Sequence, residues 1–127
     1  MLRPKDIKNT LHQNGLVQNG LFAWGVIKQN ALVEVIEAVL CIEDPITYSF
    51  TFADGKLIIT KTVKDKVLID EAVRIDKTDV KEVKLRKSTF GDTILVIECK
   101  DDKRTEYIIQ QDVRDMKKMV DLFNSAE

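Results

Sequence analysis

A chain of 127 residues has the length of one domain, enough to bury a hydrophobic core without disulfide or metal staples. Its 44% apolar content agrees, and its 32% charged content is balanced, 20 basic residues against 21 acidic, for a formal charge of −1. That neutrality argues against an electrostatically held partner such as bulk nucleic acid or an anionic membrane, while leaving room for a local patch.

The N-terminal 30 residues differ in texture from the rest. Pro4 suits the first position of a short helix, Asp6 its acidic first turn, Ile7 and Leu11 its one apolar face, and Asn14-Gly15 its stop. The near-repeat QNGLV and QNGLF reads as two successive turns, being too short and too few for a solenoid. Leu21, Phe22 and Trp24 follow in LFAWGVIK. These side chains either pack onto the domain's own surface or form a contact with a protein partner, where aromatic residues are enriched.

Residues 31–44, ALVEVIEAVLCIED, are ambiguous. Leu32, Val35, Ile36, Val39 and Leu40 have helical spacing, yet the run is rich in β-branched residues, and periodicity alone does not arbitrate. A helical start giving way to a strand over Glu37–Ile42 is the expectation. From Ile46 the period-2 pattern of strands takes over. Tyr48, Phe50 and Phe52 alternate with Thr47, Ser49 and Thr51, predicting one buried face. Asp54-Gly55 predicts a type I′ hairpin turn. Further strands are expected at 57–63, 67–75, the basic run after Asp79, TILVIEC, and RTEYIIQ, separated by polar turns. The chain closes with an amphipathic helix: Asp112 is placed to cap it, Asp115 lies in its first turn, and Val113, Met116, Val120 and Phe123 make one stripe. That stripe is expected to cover an open end of the β-structure.

Residues suited to catalysis are sparse. His12, the only histidine, sits in a polar N-terminal stretch, which leaves a His-cluster metal site or a Ser-His-Asp arrangement without support. No phosphate-binding glycine motif occurs. Asp101 and Asp102 read as solvated turn formers. Cys41 and Cys99 each sit in an apolar run and read as buried thiols, with a mutual disulfide or a reactive thiol as alternatives. No catalytic residue, metal site or cofactor is assigned. MLRPKDIKNT has no apolar leader core, and no run approaches a membrane span, so a cytoplasmic location is expected. Lys81, Lys84, Arg86 and Lys87 are the candidate anion patch, interleaved with Glu82 and flanked by Glu98, Asp101, Asp102 and Glu106. The same mixture reads equally as a solvated face that protects a sheet from aggregation.

Counting Glu37–Ile42 as a first strand, the order is seven antiparallel strands and a terminal helix. With the hairpin FADGKLIITKT, the run EAVRIDKTDVKEVKLRKSTFGDTILVIECKD and the helix DVRDMKKMVDLFN, this resembles the bacterial pleckstrin-homology (PH)-like domains over roughly residues 35–125. The resemblance implies an α+β fold: a seven-stranded antiparallel barrel over residues 31–127, capped by the C-terminal helix and preceded by a short helical extension over residues 1–30. It also implies a binding scaffold without an active site. Eukaryotic PH domains that bind phosphoinositides carry basic residues in the loop between the first two strands. Here that loop is Glu43-Asp44-Pro45, whose carboxylates would repel a phosphorylated headgroup. The expected function is therefore a non-catalytic protein-binding or self-assembly module, with a homo-oligomer as one form. The candidate contacts are a strand edge and Leu21, Phe22 and Trp24. The alternative is an anion- or membrane-surface binder using the basic strip on residues 81–104.

Overall fold

The structure, a computed structural model, describes residues 3–28 and 46–125. It is an α+β fold: an eight-stranded antiparallel sheet with a helix at each end of the chain. Helix α1 spans Pro4–Gln13. The strands are β1 (Phe22–Ile27), β2 (Thr47–Ala53), β3 (Lys56–Val63), β4 (Lys66–Val67), β5 (Val73–Ile75), β6 (Val80–Lys87), β7 (Thr93–Cys99) and β8 (Arg104–Gln111), and helix α2 spans Val113–Ser125. The strands run β4-β3-β2-β1-β8-β7-β6, with β5 also paired to β3. Among the described residues β6 pairs only with β7, so the sheet has two free edges and is not closed into the expected barrel. The segment 29–45, with the expected strand Glu37–Ile42, Cys41 and the Glu43-Asp44-Pro45 loop, lies outside the described residues.

Helix α1 forms as its residues require. Pro4 opens it, the Arg3 backbone N–H donates to the Asp6 carboxylate, and the backbone turns left-handed at Gly15 (φ +73°). Beyond it the segment expected to be turns and an aromatic patch contains β1, the middle strand of the sheet. Phe22–Gly25 pair with β2 and Trp24–Ile27 with β8, so this strand joins the two halves of the sheet. The sequence signal was weak because Gly25, which has little strand propensity, interrupts the run.

Alternating side chains of β1–β3 face two different cores. Phe50, Phe52, Leu57 and Ile59 point into the main one, together with Val83, Leu95, Tyr107 and Ile109. Tyr107 meets the rings of Tyr48 and Phe50 edge-on, with centroids 5.2 Å and 5.1 Å away. On the other face Phe22, Ala53 and Ile58 pack with Ile7, Leu11, Leu16 and Val17 from α1 and the turn after it. Strand β2 was expected to be wet on one side, but Ser49 and Thr51 are 0% exposed. A half-polar alternation marks a half-buried strand only where one face meets water, and here neither does.

Helix α2 buries its stripe as expected, but against the core of an open sheet rather than at the end of a barrel, and with one change in the stripe. Met116, Met119, Val120 and Phe123 are buried, whereas Val113 at the first turn is exposed. Asp112 was expected to cap by its side chain; instead it takes a left-handed conformation (φ +59°) and its backbone carbonyl accepts the Met116 N–H. Asp115 ties the helix to the sheet by accepting the Phe22 N–H at 3.4 Å.

The hairpin turns are largely as expected. Asp54 and Gly55 have φ of +55° and +76°, the positive pair of a type I′ turn. Gln18 clamps that turn, donating to the Asp54 carboxylate and accepting the Asp54 N–H, each at 3.0 Å. The strand expected over 67–75 is instead split into β4 and β5 by a 3-10 turn at Ile69–Glu71. The two pieces pair with different parts of β3, and the three residues of the turn take up the slack between the registers.

Candidate binding surfaces

The basic strip is a set of ion pairs rather than a row of free cations. Lys81 pairs with Asp102, and Arg86 pairs with and donates to Glu106. Lys84 lies 3.6 Å from Glu82, and Lys87 donates to the Thr93 hydroxyl at 3.0 Å. Glu106 is the centre of the arrangement, since Lys28 at 4.0 Å and Arg104 at 3.8 Å also face it. The hydrogen bond from the Arg86 guanidinium, with the positive charge of Arg86, Lys28 and Arg104, holds its carboxyl below the usual glutamate range, although partial burial acts the other way. In the sequence Glu106 stands only as an acidic residue flanking the strip. Its role was not legible because Arg86 reaches it across β7, a relationship set by strand order.

The candidate contact residues separate. Leu21 is buried in the main core and Phe22 in the α1-side core. Trp24 is only half-buried against the α1-side core, so it alone of the three presents an accessible side chain. Its indole Nε1 is buried without a hydrogen-bond partner among the described residues, as are the hydroxyls of Ser49, Thr51, Thr60 and Thr62. These positions are neighbours: Trp24 stands opposite Ser49, and Ser49 opposite Thr60.

The outer edge of β6 was anticipated only as some exposed strand edge. Its phase follows from the turn that ends it. Ser88 donates its N–H to the Asp92 carbonyl at 2.9 Å, which makes that facing pair a hydrogen-bonded one. Antiparallel pairs alternate, so Val83, Leu85 and Lys87 direct their backbone N–H and C=O away from β7. The Val83 carbonyl is capped by the Asn124 side chain of α2 at 3.0 Å. Beyond it the outward groups of Leu85 and Lys87 have no partner among the described residues.

Cys99 is half-buried with a free thiol, and His12 is exposed. Burial pushes the Tyr107 hydroxyl up to about 12, away from any role as an acid or base near neutrality. Among the described residues no helix is long and apolar enough to cross a membrane. No protein-family model matches the chain, and no curated protein is similar to it.

Proposed function

We propose that the chain is a non-catalytic, PH-like protein-binding or self-assembly module, and that the outer edge of β6 is where its partner docks. The PH-like reading is supported by the run of antiparallel strands and by the terminal amphipathic helix packed on the main core. The binding reading is carried by one observation: the N–H and C=O groups of Leu85 and Lys87 face away from the sheet, next to the point where Asn124 stops capping the edge. Unpaired edge groups are a template for a further strand. The basic strip supports the anion- or membrane-binding alternative less well, because each of Lys81, Lys84, Arg86 and Lys87 already has an acidic or hydroxyl partner.

The test is selection of random linear peptides displayed on phage against the immobilised chain, with Lys87→Pro as the control. Proline at this position deletes an outward N–H and leaves the ladder to β7 intact. Enriched peptides should bind the parent and lose affinity for the proline variant. Sedimentation of the parent at two concentrations then reports whether a second copy occupies the same edge. Peptides indifferent to Lys87→Pro, together with a monomer at both concentrations, would sink the reading.

A further inference from the structure

Four of the five phenylalanines are core residues, from 0% to 9% exposed, whereas Phe90 is 92% exposed. It stands on the turn between β6 and β7, a position that asks for Ser, Asn, Asp or Gly and has no use for a phenyl ring. The turn itself is tightly held. The Ser88 hydroxyl accepts the N–H groups of Phe90 at 3.3 Å and Asp92 at 3.0 Å. The Ser88 carbonyl accepts the Gly91 N–H at 3.0 Å, and Gly91 supplies the left-handed residue (φ +87°). The backbone that carries the ring is thus pre-organised, and an anchor of that kind loses little freedom when it is buried.

We infer that Phe90 is the anchor of the β6 edge site: it buries against an apolar side chain at one end of an extended, acidic segment of a partner protein lying along Leu85 and Lys87. This rests on the edge reading above and adds the partner's chemistry to it. Phe90 lies three residues past Lys87 in the same hairpin. The acidic character follows from Lys84 on the outward face of β6 and from Lys87 at its end, whereas Arg86 is already held by Glu106. Among the described residues Lys84 meets only the exposed Glu82, a pairing weak enough for a partner carboxylate to displace. The same charges disfavour a second copy. Two β6 edges paired antiparallel about Leu85 would set Lys84 of each opposite Arg86 of the other, and like charges directly opposite destabilise a strand pair. A membrane is disfavoured on size, because even a whole myristoyl chain gives only marginal membrane binding and a phenyl ring is smaller.

The displayed peptides decide the matter. Enriched sequences should carry acidic residues and an apolar end. Their affinity should fall by roughly tenfold or more for Phe90→Ala, stay within about threefold for Phe90→Leu, and fall partway for Ser88→Ala, which loosens the turn and keeps the ring. Circular dichroism and melting of each variant confirm that this exposed tip leaves the fold unchanged. Peptides sensitive to Lys87→Pro but indifferent to Phe90→Ala would overturn the anchor and leave the edge reading standing. Indifference to both variants, or no enrichment at all, would overturn the anchor, and with a monomer at both concentrations the edge reading as well. Phe90-dependent binding to phosphatidylcholine–phosphatidylglycerol vesicles, or Phe90-dependent dimerisation, would overturn the choice of partner.

Discussion

A Cβ atom on Gly25 would stand 2.1 Å from the carbonyl oxygen of Ile108, and 3.2 Å from the Cα of Ile109. The approach is this close because β1 and β8 change register between Trp24 and Gly25, where Gln110 is passed over. Such a bulge bends the strand that carries it and increases its twist. Gly25 therefore lets the two halves of the sheet meet. Gly25→Ala should cost at least about 2–3 kcal/mol, because the obstacle is backbone and does not yield as a flexible side chain would. Gly20 provides the comparison: its left-handed backbone (φ +69°) has open space around it, so alanine there should cost only about 1 kcal/mol of backbone strain. Urea unfolding of both variants checks the difference.

Glu106 should make stability depend on pH. Its carboxyl is held below the ordinary range chiefly by the Arg86 hydrogen bond, so the stabilisation is fully present above the unfolded value of about 4.3. It is lost as pH falls through the lower folded value. Arg86→Met removes the main cause. The parent should therefore exceed the variant in stability most above about pH 5, and the two curves should converge in acid. Carboxyl-carbon NMR titration of Glu106 should show its midpoint rising in the variant.

The buried hydroxyls of Ser49, Thr51, Thr60 and Thr62 have no hydrogen-bond partner among the described residues. A buried polar group without a partner carries its desolvation cost uncompensated. Thr60→Val keeps the shape and removes that cost, so stability should rise by about 1 kcal/mol, or roughly 3–5 °C in Tm. A fall in the calorimetric Tm would show instead that a trapped water bridges these hydroxyls.

The cover supplied by α2 should be strongly face-dependent. Phe123 is 1% exposed and fills the main core, so Phe123→Ala should cost about 3–5 kcal/mol. Its neighbour Leu122 is 42% exposed, and Leu122→Ala should change stability by no more than about 0.5 kcal/mol. Denaturant midpoints of the pair give the contrast directly.

Sequence by itself determined the local elements. Pro4 and Gly15 bound α1, Asp54-Gly55 makes a type I′ turn, and the stripe of α2 is buried from Met116 to Phe123, because each is written in neighbouring residues through φ preference or a repeating apolar spacing. Tertiary structure alone decided the rest. Strand β1 becomes the middle of the sheet by pairing with β2 and β8, the latter some eighty residues away. Ser49 and Thr51 are buried on a face that alternation assigns to water, and the residues of α1 pack on that same face at Phe22, Ala53 and Ile58. Arg86 finds Glu106 across an intervening strand. Strand order, sheet closure and cross-strand charge pairing are properties of distant segments meeting, and no local period records which segments those are.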